Sequence, residues 1–237
     1  MAVSATADDS SGRRNPYLDE SSLEFRFRAR RFALIQNLLE RILAERGRAD
    51  ILDLGGTPDY WLAGGRFIEA NRGRLSITLV NTEAQTVELP DLFSFVAGSA
   101  TDPDLFRGRT FDLVHSNSVI EHVGDFSDMQ RFADNARRLA PRYYVQTPNY
   151  WFPFEPHFRF AGIQYVPEPL RAWLMTKYAF GYFPRIEDIK VARDLVSHHR
   201  LLSMRQMRRL FPDATVQFEK AFGLNKSIIA WRDHPPA

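Results

Sequence analysis

From Ser21 to about Arg46 the apolar residues fall at helical spacing, with Phe32, Ile35, Leu38, Leu39 and Ile42 on one stripe. That recurrence predicts an amphipathic helix, and Gly47 is placed to stop it. Beyond Gly47 short apolar runs alternate with helical stretches. Runs at Ile51–Leu54, Leu75–Val80, Leu92–Ala97, Phe111–Ser116 and Tyr143–Thr147 read as strands. A helix is expected over Trp61–Ala70. Another is expected over Ser127–Ala140, where Met129, Phe132, Ala133, Ala136 and Leu139 share a face. Ser127 and Gln130 form a capping box for it, and Pro141 ends it. Strands alternating with helices predict a parallel sheet covered on both faces.

The last third has a different texture. Residues 148–183 are dense in proline and aromatics: TPNYWFPFEPHFRF, then YVPEPLRAWLMTKYAFGYFP. Leu170, Trp173, Leu174 and Tyr178 predict one helix there, and Ile186, Ile189, Leu195 and Val196 another. Ser203 and Gln206 form a second capping box, opening a helix with Met204, Met207, Leu210 and Phe211 that Pro212 closes. Thr215–Phe222 and Ser227–Trp231 read as a hairpin around Gly223 and Asn225.

Composition narrows the classes. The 237 residues are 44% apolar, enough for one large domain or one domain with an insertion. The net charge of +2 is a weak basis for nucleic-acid binding. The Arg26, Arg28, Arg30 and Arg31 cluster reads first as a solvated helix face. With no cysteine, disulfides, thiolate metal sites and a cysteine nucleophile are excluded. Residues 1–20 are rich in Ser, Ala and Asp and are expected to be disordered. They lack the apolar core of a signal peptide, and no run approaches a membrane span. The expectation is a soluble, cytoplasmic, single-domain protein over residues 21–237, with the N-terminal helix at 21–46.

In a doubly wound sheet, ligands bind at the carboxyl ends of the strands, where the strand order reverses. The stretches after the five runs are Asp53–Asp59, Asn81–Glu83, Gly98–Asp102, Ser116–His122 and Thr147–His157. All are rich in Gly, Asx, Ser, Thr or His. In the first, D-L-G-G-T-P-D replaces the G-x-G-x-x-G that seats a pyrophosphate. Asp59 would repel a pyrophosphate, and an acidic turn suits a cationic ligand better. Asp102 can equally serve as a helix N-cap. His115, inside a strand, reads as structural.

ILDLGGTPDYW, ITLVNTE, FVAGSATD and FDLVHSNSVIEHV, in that order, resemble the motifs of class I S-adenosylmethionine-dependent methyltransferases, especially the broad type 11 group. The likeness covers about residues 50–147. It implies an α/β, doubly wound, Rossmann-like sheet of seven strands, mostly parallel with a C-terminal antiparallel hairpin, plus a helical and aromatic insertion covering the acceptor over 148–200. It implies S-adenosylmethionine as cofactor. Asp53, Gly55, Gly56 and Thr57 would take the methionine end. Asn81 and Glu83 would take the ribose, since a carboxylate can accept from both hydroxyls of a diol. Ser99 and Ala100 would read the adenine edge. Asn117 and Ser118 would lie beside the sulfonium and the substrate, and Ser116 joins Asn117 among the cofactor-binding residues. Thr57, Asp59, Asn81 and Ser99 depart from the family pattern.

On this reading the chain moves a methyl group to oxygen or nitrogen of a small-molecule acceptor, a sugar or natural-product intermediate. His122, His157 and Glu155 are the candidates to take the proton. No metal site is read from the sequence. Three other readings remain open: a non-catalytic module that keeps the fold, a nicotinamide-dependent oxidoreductase, and a macromolecular acceptor held by the arginine cluster.

Overall fold

The computed structural model describes residues 21–61, 64–82 and 89–234. The expectation for residues 1–20, and Glu83 with it, lies outside the described residues. Helix α1 (Leu23–Arg46) opens on Ser22, whose side chain accepts from the Phe25 amide. It closes on Gly47, which adopts φ +75° and donates to the Leu43 carbonyl. A left-handed C-cap is the conformation in which glycine has no penalty. The stripe from Phe32 to Ile42 is buried, as the spacing predicts.

The strands follow as β1 (Ala49–Leu54), β2 (Leu75–Asn81), β3 (Phe93–Ala97), β4 (Leu113–Asn117) and β5 (Arg142–Pro148). A small hairpin, β6 (Phe154–Glu155) and β7 (Phe160–Ala161), precedes β8 (Thr215–Ala221) and β9 (Leu224–Arg232). The seven-stranded sheet has the order β3-β2-β1-β4-β5-β9-β8. Strands β1 to β5 pair in parallel, and β9 runs antiparallel between β5 and β8. The order therefore reverses between β1 and β4, which sets the switch point there. Strand β1 is buried on both faces, as central parallel strands are.

Two cores cover the sheet. One packs α1 on Ile51, Ile77, Leu113 and Tyr144. The other packs α4 (Phe126–Leu139) and α7 (Met204–Leu210) on Leu52, Val114, Tyr143 and Ile228. Alternation along the strands thus puts Asp53, His115, Tyr144 and Gln146 on the α1 side. Pairing places Asp53 opposite His115, His115 opposite Tyr144, and Tyr144 opposite Trp231. One rung crosses four strands.

Three local expectations need correction. The region Trp61–Ala70 holds two short helices, α2 (Pro58–Trp61) and α3 (Gly65–Ala70), instead of one. Helix α4 is capped by Asp125, in a box with Asp128, because Asp125 is the last extended residue before the turn. Ser127 is already inside the helix, and Gln130 instead bonds Asp134. In the insertion, α5 (Glu168–Met175) and α6 (Ile189–Ser197) form as expected. However, α5 buries Arg171, Ala172 and Met175, while Leu170 and Trp173 are 48% and 49% exposed. The insertion's separate core of Phe158, Ile163, Met175, Phe180 and Val196 takes a different helix face from the one the apolar residues suggested.

No helix among the described residues is long and apolar enough to cross a membrane.

Candidate functional site

The turn after β1 is shaped by its glycines. Gly55 adopts φ +71°, and its amide donates to the Val80 carbonyl at 2.7 Å. A Cβ there would lie 2.5 Å from a Val119 methyl. A Cβ on Gly56 would lie 1.9 Å from Asp53 Oδ2. Only glycine fits either position.

Asp53 is fully buried. The Trp61 indole donates to its Oδ2 at 2.8 Å, and His115 Nδ1 lies 2.7 Å from its Oδ1. Tyr144 stacks on the His115 ring at 5.7 Å, and Tyr60 lies against it at 4.5 Å. Burial raises the Tyr60 and Tyr144 hydroxyls well above their ordinary range. Both Asp53 oxygens are therefore engaged within the protein. His115, read as structural, is the residue that holds one of them.

The other expected cofactor residues separate into two groups. Thr57 is exposed, Asn81 ends β2 half-buried, and Ser99 and Ala100 lie half-buried after β3. All four stand at the carboxyl edge of the sheet. Ser99 Oγ is 2.8 Å from Thr101 Oγ1, and the Ala100 carbonyl accepts from Asn135 at 2.8 Å. Ser116 is different: its hydroxyl is fully buried and donates to the Leu54 carbonyl at 2.8 Å, strapping β4 to β1. Asn117 ends β4, and Ser118 follows at φ +55°, an unfavourable conformation for a residue other than glycine. The Ser118 amide and hydroxyl hold this bend, donating to the Gln146 carbonyl at 2.9 Å and side chain at 3.0 Å.

Arg31 corrects the solvated-face expectation for its cluster. Its side chain is only 9% exposed. Nη1 donates to Asn117 Oδ1 at 2.6 Å and Gln146 Oε1 at 2.9 Å, and Nε lies 3.3 Å from Glu219 Oε1. Arg26 and Arg30 are exposed as expected. Arg31 lies four residues before Ile35 and seven before Leu38, so its place on the buried stripe was available from spacing alone.

On the opposite side of β4 and β5, the structure brings His122, His157 and Glu155 together. His122 Nε2 and His157 Nε2 are 3.1 Å apart, and His157 Nδ1 is 2.7 Å from Glu155 Oε1. The Phe158 amide also donates to Glu155. Glu121, which sequence reasoning left without a role, completes the group. It is fully buried, and its Oε2 accepts from the Thr147 hydroxyl at 2.9 Å. Burial pushes the Glu121 carboxyl up to about 7, against the opposing pull of His157. Burial, then the charge of His157, pushes His122 down to about 4. Burial also works against the charged form of His157, but the bond and charge of Glu155 outweigh it and raise that imidazole above its usual value. His199 packs edge-on to both rings, at 4.7 and 5.2 Å. Residues 121 and 157 are too far apart in sequence for any spacing motif to pair them.

Large clefts also lie near the amino ends of the strands. One, of about 470 Å³, is lined by Arg46, Asp50, Arg109 and Asp112. Its two carboxylates are paired, Asp112 with Arg46 and Asp50 with Arg109, and Arg74 on its wall donates to the Gly47 and Leu43 carbonyls.

Residues 55–142 match the family model of a methyltransferase domain. No curated protein sequence matches the chain. Among solved structures, the plantazolicin methyltransferase BpumL, in complex with a monoazolic desmethylPZN analog and SAH, is 9% identical. The match covers 88% of this chain and 85% of that one, with a TM-score of 0.50. N-methyltransferase NodS from Bradyrhizobium japonicum is 11% identical over 86% of this chain and 97% of its own, with a TM-score of 0.46. An O-methyltransferase family protein from Burkholderia thailandensis is 12% identical over 88% of this chain, with a TM-score of 0.48. This chain spans only 58% of that protein's length. The family match spans the strands and strand-end loops from the β1 turn to β4 in a sheet of this order, so residues 55–142 are similar to a methyltransferase domain and the chain shares the fold of those solved methyltransferases.

Proposed function

We propose that the chain methylates an oxygen or nitrogen of a small-molecule acceptor, a sugar or natural-product intermediate, bound between the strand ends and the insertion over 148–200. One observation carries this reading: the glycine turn of β1 and the Glu121–His122–Glu155–His157 group lie at the same edge of the sheet, on either side of the switch point. S-adenosylmethionine supplies an electrophilic methyl group on a sulfonium. The residues present fit such a ligand. Loops 53–59 and 98–102 carry carboxylates and hydroxyls and no Lys or Arg, a donor set suited to a cation and unsuited to a pyrophosphate.

In this arrangement the Gly55–Thr57 turn takes the methionine end, with Asp53 shaping it from below. Asn81 takes the ribose, and Ser99 with Ala100 the adenine edge. Asn117, pinned by Arg31, stands nearest the sulfonium. Ser116 contributes its backbone, since its hydroxyl is spent on Leu54. Alignment of acceptor and methyl supplies much of the rate in such transfers. A carboxyl poised near neutrality suits a proton acceptor, so Glu121 joins His157 and Glu155 on the acceptor side. His122, held neutral, orients His157.

Thermal shift and calorimetry with S-adenosylmethionine and its demethylated product test the cofactor half. Stabilisation by both is expected, and binding of neither at millimolar concentration overturns the reading. The engagement of both Asp53 oxygens favours one competitor, a non-catalytic module. It predicts binding without turnover on any member of a sugar and natural-product acceptor panel.

A further inference from the structure

The contact between His122 and His157 is informative because of where their protons must sit. His157 Nδ1 faces Glu155 Oε1 at 2.7 Å, and an ionised carboxylate only accepts, so that nitrogen carries hydrogen. His122 Nδ1 faces the His198 carbonyl at 3.3 Å, which also only accepts. As neutral rings, both therefore leave Nε2 unprotonated, and the two nitrogens lie 3.1 Å apart on rings set at 85° to one another. Two lone pairs at that distance repel unless a cation lies between them. A third donor points the same way. Glu121 Oε1 is buried, has no hydrogen-bond partner among the described residues, and lies 3.9 Å from His122 Nε2. The ligand atoms of Glu121, His122 and His157 all lie within 4.8 Å of one another.

We propose that Glu121, His122 and His157 bind one divalent transition-metal ion, and that its open positions hold an oxygen of the methyl acceptor. Two imidazoles and a carboxylate suit Zn²⁺, Mn²⁺ or Fe²⁺. Metal–nitrogen bonds of about 2.0–2.1 Å put neighbouring ligand nitrogens roughly 3 Å apart, close to the separation between the two rings. Glu155 plays the part of the outer carboxylate that fixes the tautomer of a metal-bound histidine. Three protein ligands leave coordination open, the pattern of a reactive centre and not of a closed structural one. The site stands beside Thr147 at the end of β5, on the acceptor side of Asn117. The acceptor role rests on the methyltransferase reading, in which a bound ion would activate the acceptor oxygen in place of proton transfer to Glu121 or His157, whereas the metal site itself does not.

The competing occupant is a proton, which would make His157 an imidazolium donating to His122. The test uses the full chain, stripped with chelator and titrated with Zn²⁺ and with Mn²⁺ by calorimetry, with metal content measured on the protein as purified. One ion per chain is expected. Glu121→Gln and His157→Gln should each weaken binding at least as much as loss of an outer partner, about 10–100-fold, and Glu155→Gln should fall in that range. His198→Gln should leave it unchanged, because the contact of His198 with His122 is through its carbonyl. Circular dichroism of each variant separates lost folding from lost ligation. In the wild-type chain, no stoichiometric binding of either ion overturns the proposal. So does a His157 imidazolium, seen by NMR, that titrates identically with and without metal. S-adenosylmethionine binding is measured on the metal-free chain. Cofactor binding without metal binding sinks only the metal site, and metal binding without cofactor binding sinks only the methyltransferase reading.

Discussion

Asp53 and Glu121 are both buried carboxylates beside a histidine at the carboxyl edge of the sheet, yet their surroundings differ. Asp53, on the α1 side, has both oxygens in use, with Trp61 and His115 within 2.8 Å. Glu121, on the other side, gives one oxygen to Thr147 and leaves the other unpartnered. A buried polar atom without a partner costs free energy that folding alone gives no reason to spend. The first acid is a post with both oxygens spent on fixing the glycine turn, while the second keeps one oxygen that the proposed site would use.

The sharpest break in that comparison is Asp53→Ala. It strands the Trp61 indole N–H and a His115 nitrogen in the core and removes the wall against which Gly56 packs. Two orphaned buried groups cost about 1–3 kcal/mol each, so unfolding stability should fall by about 4 kcal/mol, and affinity for S-adenosylmethionine should fall with it. Denaturant titration and calorimetry measure the two losses. A variant of undiminished stability would show that Asp53 is not the post described above.

Next in size is Arg31→Met, which tests whether the whole α1 side is a closed polar structure. Arg31 and Glu219 are both nearly buried, at 9% and 5% side-chain exposure. Removing one member of such a pair leaves a charge without compensation and costs about 3 kcal/mol. The double variant Arg31→Met/Glu219→Gln should recover most of that loss, which denaturant midpoints would show. Failure of the second substitution to rescue would place the value of Arg31 in its bonds to Asn117 and Gln146 instead.

The two sides were not equally legible in the sequence. The strands were, because parallel strands buried on both faces leave largely apolar runs such as Ile51–Leu54, interrupted only by Asp53. The α1 stripe was legible too, and so was the edge at which a ligand would bind. Partner choice was not. Asp53 meets His115 across 62 residues, and His122 meets His157 across 35, and no local periodicity encodes either meeting. Arg31 was misread because its charge outweighed its position on the stripe. The α5 face was misread because the insertion's small core is filled by Ala172 and Met175, leaving the larger Trp173 at the surface.

A smaller effect, far from either carboxylate, calibrates them. Asp213 receives the Tyr143 hydroxyl at 2.7 Å and Arg137 Nε at 2.9 Å, and it also pairs with Arg232. Burial alone would raise its carboxyl, but the bonds from Tyr143 and Arg137 outweigh that and hold it below its ordinary value. A depressed carboxyl stabilises the fold above its unfolded pKa of about 3.9 and loses that contribution as pH falls through the folded value. Asp213→Asn should therefore cost about 1–2 kcal/mol at neutral pH. The gap from wild type should close as the pH drops below about 4. Thermal melts across that range read the slope, and a gap constant with pH would mean that the charge of Asp213 contributes nothing.

Glu121→Gln should have the smallest effect on stability and the largest on function relative to it. The substitution keeps the shape and an oxygen for the Thr147 hydroxyl, and it removes a buried charge for which the folded chain pairs only one oxygen. Replacing an uncompensated buried charge with an isosteric neutral group is close to neutral, so the change should stay within about 1 kcal/mol in either direction. Methyl transfer should nevertheless be lost or strongly reduced, with affinity for S-adenosylmethionine unchanged, because the proposed function puts Glu121 on the acceptor side. Melting temperature, cofactor affinity and turnover on a responsive acceptor separate these effects. If Glu121→Gln instead unfolded the chain as Asp53→Ala is expected to, the two carboxylates would be equivalent posts, and the unpartnered oxygen would have no claim to a ligand.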